Sequence, residues 1–410
     1  MTAPKLRFKE FDGDFKESKL VEYTAWSSGG TPSKDNEAYW GGNIPLISGV
    51  SMHTHRLYES DVKITELGLR KGSKLAPKNS ILILVRGSML FNKIPMGVTL
   101  GDVAFNQDVK CIQPIQELYS NFLFQWFSAK ENIIQNKVTS TGIGAGKLDT
   151  ADLQNLKIVV PSIEEQTKIA SFLSAVDDKI SQLIQKHELL HQYKQGMMQK
   201  LFSQQLRFKA DDGSEFGEWE SLKMGSLCFR NYQGINTVAD KVEYEKMGYP
   251  ILQAKHITSE KLDFNDSRFL SIVDFEKYKD KYIPKCNDIL FSNIGTIGKV
   301  VLVQESKPFF IAWNIFLISV KTDLIVPMYL ATYLRWLTSL GYFDNLQTGN
   351  ATKFINKTDL LDTKVKLPCL EEQTKISNFL SAIDQKIETV AQQIEQAKTW
   401  KKGLLQQMFV

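Results

Sequence analysis

Between residues 163 and 203 apolar side chains return at Ile169, Leu173, Val176, Ile180 and Leu183, and the register runs on through His187, Leu190, Lys194, Met197 and Leu201. The steps alternate four and three, which is a heptad seam and predicts one helix of about 40 residues, or about 60 Å. A second seam follows the same rule at Ile376, Leu380, Ile383, Ile387, Val390, Ile394, Ala397, Lys401, Leu404 and Met408. A two-residue stripe stays wet unless a second helix covers it, and the obvious partner is the other copy. Copies related by a twofold axis would pair antiparallel at a crossing angle of about 20°. Ser162 is placed to cap the first helix, with Glu165 completing a capping box and Pro161 just outside. In the second copy Cys369 replaces the serine, so that end is expected to be less well fixed. Lys194 and Lys401 occupy matching seam positions. They read either as snorkelling side chains where the pair splays or as the point where the seam ends and a partner takes over.

The seams lie inside a repeat. PSIEEQTKIASFLSAVDDKI (161–180) returns as PCLEEQTKISNFLSAIDQKI (368–387), and 161–203 aligns with 368–410 without a gap and with about half of the pairs identical. Such self-similarity marks a duplicated unit. Fainter echoes cover the rest. LRFKEFDGDF from Leu6 answers LRFKADDGSEF from Leu206, NSILILVRGS (79–88) answers NDILFSNIGT (287–296), and VAFNQDVKCI (103–112) answers FIAWNIFLIS (310–319). The repeat is circular. Phe202 leads through Ser203, Gln204 and Gln205 to Leu206, while Phe409 stands near one chain end and Leu6 near the other, so the two ends are expected to be neighbours.

Before each seam helix lies a body, 19–158 and 215–365, in which short β-rich runs such as ILILV and PFFIAWNIFLISV alternate with Gly- and Asn-containing turns. Each body closes on a helical stretch, YSNFLFQWFSAKENIIQ (119–135) or PMYLATYLRWLTSLGYF (327–343). The expected fold class is α+β, with two pseudo-twofold-related domains (1–158 and 206–365) joined by two long antiparallel coiled-coil helices (161–203 and 368–410).

Composition adds little. With 410 residues, 43% hydrophobic and 23% charged, the chain reads as a globular protein of two or three domains. Its longest aliphatic run is too short to cross a bilayer, and the start of the sequence lacks the apolar core of a signal peptide. Four scattered cysteines without a CxxC pair speak against a disulfide framework and for a reducing cytoplasm. A net charge of +4 permits nucleic-acid binding without requiring it.

Candidate chemistry sits in polar, glycine-containing loops at matching places in both bodies: SSGGTPSK, RGSMLFNK and STGIGAGK in the first, FRNYQGINT, SNIGTIGK and TGNATKF in the second. Backbone N–H groups beside Lys, Arg, Asn and Ser are the groups that grip phosphates and read base edges. The candidates are Ser27, Ser28, Thr31, Lys34, Arg86, Lys93 and Lys147, and in the second body Arg230, Asn231, Gln233, Lys255, Asn293, Lys299, Asn350 and Lys353. Two apparent catalytic motifs are rejected. HELLH (187–191) matches the zinc-protease HExxH pattern, but His187 is a seam position and its repeat copy reads IEQAK. GIGAGKL (142–148) lacks both the leading glycine and the trailing Ser or Thr of a phosphate loop. No Pro-Pro dipeptide of the kind adenine methyltransferases use around a flipped base occurs. No cofactor and no metal are expected.

On the twice-written P-x-x-EEQ-x-K-I-x-x-FL-x-x-x-D-x-K-I tail, with GGTPS followed by YWGGNIPLI in the first body, the chain resembles the specificity subunits of type I restriction–modification systems. The resemblance implies that each body is a target recognition domain reading one half of a split site in double-stranded DNA. It implies that the helices set the gap, and half-sites one turn apart lie about 34 Å between centres, within reach of such a helix. It further implies docking of two adenine methyltransferase subunits and two ATP-dependent restriction/translocase subunits, with no catalysis by this chain and no membrane. The competing reading is a coiled-coil protein-binding scaffold without DNA readout.

Overall fold

A computed structural model of the chain describes residues 4–13, 15–142, 144–257, 261–305, 307–348 and 353–409. The chain divides into two compact units, 1–186 with 390–410, and 187–389. Both boundaries fall inside long helices, Ile163–Phe202 and Leu370–Met408.

The first body is built on a five-stranded sheet in which Thr24–Ser28, Val109–Pro114, Ile81–Leu84, Met96–Thr99 and Arg56–Leu57 follow in spatial order. The unbroken apolar run takes the centre, where a strand is covered on both faces; all four residues of Ile81–Leu84 are buried. A four-stranded sheet, containing Trp40–Ile47 and Val103–Phe105, adjoins it. A three-stranded ribbon joins Arg86–Gly87, Gly146–Lys147 and Thr139–Ser140. The stretch expected as one helix at 119–135 is two, Ser120–Ala129 and Glu131–Gln135. The break is at Lys130, whose ψ of 4° leaves the helical region.

The second body repeats this plan with four strands in its main sheet, Cys228–Gln233, Ile315–Val320, Ile289–Ser292 and Val300–Leu302. PFFIAWNIFLISV is interrupted: Phe310–Ile311 pairs with Tyr249–Leu252 in a second four-stranded sheet and Ile315–Val320 in the main one, with a turn at 313–314 between them. The closing helix, Pro327–Ser339, begins on a proline at its first turn and ends at Gly341, whose φ of +70° suits glycine.

The repeated words of the sequence tie each body to its helix. In the first unit the Arg7 guanidinium donates two 2.8 Å bonds to the Glu165 carboxylate, which is 1% exposed, and one to the Gly13 carbonyl. Phe8 meets Phe172 edge-on, and the Leu6 N–H donates to the Gln407 carbonyl at 3.0 Å. The second unit repeats every contact: Arg207 with Glu372 and Gly217, Phe208 with Phe379, Leu206 N–H with the Lys200 carbonyl at 3.1 Å. Gln166 and Gln373 hold the other side. Their amide oxygens accept from Tyr119 N–H and Val326 N–H, at the starts of the closing helices. Glu165 therefore completes no capping box. Only half of that motif forms, with Glu165 N–H donating to Ser162 Oγ at 3.3 Å, because the carboxylate is taken by Arg7.

The seams form. Ile169, Leu173, Val176, Leu183 and Leu201 are buried on one helix, and Ile376, Leu380, Ile383, Ile387, Val390, Ile394, Leu404 and Met408 on the other. In the first unit Ile169 lies by Met408 and Phe409 while Asp177 pairs with Lys401 at 2.5 Å, so those segments run antiparallel. In the second unit Lys194 pairs with Asp384 at 2.5 Å. Neither reading of the seam lysines holds. Lys194, 7% exposed, neither snorkels nor ends the seam but closes an ion pair inside it.

Candidate nucleic-acid interface

One end of each main sheet gathers the predicted loops. In the first body Gly29 passes so close to the Val103–Phe105 strand of the adjoining sheet that a Cβ would lie 2.1 Å from the Phe105 carbonyl oxygen, so no side chain fits there. Gly234 makes the same approach in the second body, 2.2 Å from the Ile311 carbonyl oxygen. These crossings fix a common backbone frame. Val85 N–H donates to the Asp108 carbonyl and Leu148 N–H to the Val85 carbonyl. In the second body Asn293 N–H donates to the Asn314 carbonyl and Ile355 N–H to the Asn293 carbonyl. Val85 thus corresponds to Asn293, Arg86 to Ile294, Gln107 to Trp313 and Lys147 to Phe354.

On this frame the first body presents cations and small polar groups. Ser28 lies opposite Lys110, which donates to its hydroxyl. Ser27 is its half-buried neighbour on the strand, opposite Cys111, whose thiol burial pushes up. Thr31 donates to Gln107 Oε1 at 2.7 Å. Arg86 and Lys147 face each other directly across the ribbon, both exposed. Among the described residues neither has an ion-pair partner. Like charges directly opposed on adjacent strands destabilise a sheet, and an anion between them removes the repulsion. Lys34 and Lys93 are exposed on flanking turns, after the glycine pair and after the turn Ser88–Phe91.

The second body presents apolar groups at the corresponding places. Trp313 is 45% exposed and Phe354 38% exposed. The Trp313 carbonyl accepts from the Gln233 side chain, and Phe354 bridges both Ile294 and Thr348. Lys353 and Lys255 are exposed beside them, and the turn carrying Lys255 is tied in by Ala254 N–H donating to Asn314 Oδ1 at 3.2 Å. Lys299 is half-buried, its N–H donating to Ser292 Oγ at 2.8 Å. Asn231 is half-buried with its carbonyl accepting from Lys357 Nζ at 3.1 Å.

Two candidates are misplaced as surface groups. Arg230 lies away from the sheet end, half-buried, and its guanidinium is taken up within the body: it donates to Asp288 Oδ2 at 2.7 Å and to Ser319 Oγ at 3.0 Å. It also lies over the ring of Tyr232, whose phenol burial pushes upward, so that side chain stays neutral. Asn293 is 2% exposed because it fills the inward position that Val85 holds in the first body. Asn350 lies outside the described residues. The residues at these sheet ends that residue-type reasoning passes over are Gln107, Lys110, Ile294, Trp313 and Phe354. The repeat alignment carried the signal for two of them, since it sets STGIGAGK over the stretch containing Phe354 and VAFNQDVKCI over the stretch containing Trp313.

The histidines of HELLH approach each other, with His187 and His191 rings 4.6 Å apart. Among the described residues no group of three or more His, Cys, Asp and Glu is placed to hold a metal ion, and no helix is long and apolar enough to cross a membrane.

A family model described as the type I restriction modification DNA specificity domain matches residues 13–191 and again 217–399. The type I restriction enzyme MjaVIII specificity subunit of Methanocaldococcus jannaschii is 25% identical, over 97% of this chain and 94% of its own length. The EcoR124I/EcoR124II specificity subunit of Escherichia coli is 33% identical, over 42% of this chain and 43% of its own. The crystal structure of a type I restriction–modification S subunit from M. genitalium superposes with a TM-score of 0.59, at 14% identity, covering 100% of this chain and 99% of that one.

Proposed function

The chain belongs to the type I restriction modification DNA specificity family, and from that premise we propose that the two sheet ends described above are its two DNA readers. The protein is a non-catalytic DNA-recognition subunit. Each body reads one half of a split double-stranded target, and the two long helices set the gap between the halves. The carrying observation is that one backbone frame occurs twice with different side chains, exposed Arg86, Gln107 and Lys147 against half-buried Ile294 and exposed Trp313 and Phe354. Duplication with retained tails and altered tips is what reading two unlike half-sites requires.

The segments 1–158 and 206–365 serve as the recognition domains, and 161–203 and 368–410 as spacers that also dock partners. Those partners are two adenine methyltransferase subunits, which hold the methyl donor, and two ATP-dependent restriction/translocase subunits, all in the cytoplasm. The twice-repeated tail supports two equal docking surfaces.

Within the first reader Arg86 and Lys147 grip phosphate, supported by Ser27, Ser28, Thr31, Lys34 and Lys93. Gln233, Lys255, Lys299, Lys353 and Asn350 serve the second. Arg86→Ala and Lys147→Ala are each expected to lower the slope of log affinity against log salt by about 1, weakening binding at every sequence alike. Binding that ignores salt in the unaltered protein would favour a protein scaffold without DNA readout.

A further inference from the structure

The two tips differ in chemical kind, and resting on the reading just given, we infer that the second body recognises thymine through its C5-methyl group, using Trp313, Phe354 and Ile294. In the major groove the methyl is the one apolar feature on a base edge, and it is read by apolar side chains. The second body sets an apolar group where the first sets Arg86, Gln107 and Lys147, on a frame held by the same backbone hydrogen bonds. Exposed aromatic surface costs free energy in water, so two such rings at adjoining strand ends suit an apolar partner.

The backbone argues for edge contact over wedging between stacked bases. Trp313 N–H donates to the Ile235 carbonyl at 2.9 Å, and Phe354 exchanges bonds of 2.9 and 3.0 Å with Thr348. Both rings are more than half covered, so they offer a face along the sheet end and not a projecting wedge. Lys353 and Lys255 flank them with charge for the phosphates alongside.

The test uses the full chain with its methyltransferase partner and duplexes carrying its mapped target. Deoxyuridine, which differs from thymidine only in lacking the methyl, replaces thymine on either strand of one half-site at a time. Substitution in the half assigned to residues 215–365 should weaken binding about 10-fold, and substitution in the other half by less than about 2-fold. Trp313→Gln with Phe354→Lys, which carries over the first body's residues, should abolish that sensitivity. Equal affinity of the unaltered protein for both duplexes would overturn the inference and leave the two-reader model standing. Absence of any split methylated motif would overturn the two-reader model, and this inference with it.

Discussion

Loss of the Arg7 guanidinium would strand a carboxylate that is almost wholly buried. Glu165 is 1% exposed and takes both of its charge-assisted bonds from Arg7. Breaking such a pair from one side costs about 3–5 kcal/mol, because the remaining charge keeps its desolvation penalty. Arg7→Ala should therefore lower stability to urea by about 3 kcal/mol, and Arg7→Met combined with Glu165→Leu should recover most of the loss. A single-substitution cost below about 1 kcal/mol would show that water reaches the carboxylate. The EEQ and LRF words were conspicuous in the sequence as repeats, yet their partnership was not legible. Glu165 and Arg7 are separated by 158 positions, and local spacing offered Ser162 as the nearer partner. The pairing of Arg230 is hidden for a related reason. A cation in a polar loop looks free until the buried Asp288 beneath it is known.

The long helices were the most legible elements, because a heptad seam specifies both the helix and the face it buries. What the pattern concealed was the polar pairing within the seam. Asp177 and Asp384 stand one place beyond the seam residues Val176 and Ile383, where nothing local marks them as partners for Lys401 and Lys194. Ion pairs taken partly out of water contribute little net stability, and each of these closes the seam within its own unit. The segments that end one helix and begin the next body also repeat. Leu6 is bonded to Gln407 as Leu206 is to Lys200, so residues 6 and 407, far apart in sequence, adjoin as 206 and 200 do. A circular permutant opened between Ser203 and Leu206, with a short linker joining residue 410 to residue 1, should fold and keep its DNA specificity. Failure to fold with linkers of several lengths would mean that the covalent link at 203–205 is needed beyond this hydrogen bond.

At the scale of the whole molecule the duplication is the central fact, and it divides what sequence can and cannot tell. The tails announced the repeat because they stayed alike. The tips hid theirs because they diverged: Lys147 and Phe354 share a backbone position but no chemistry. Polar residue types therefore mark the tip of the first body more fully than that of the second. From this duplication follows the proposal that the two bodies read DNA separately. It is tested most directly by single-molecule methylation mapping of DNA modified by this chain with its methyltransferase, before and after residues 215–365 are exchanged for those of a relative. Separate reading predicts adenine methylation in a split motif with an unspecified gap, of which the exchange rewrites one half and leaves the other and the gap unchanged. A continuous motif, or an exchange that rewrites both halves, would contradict it.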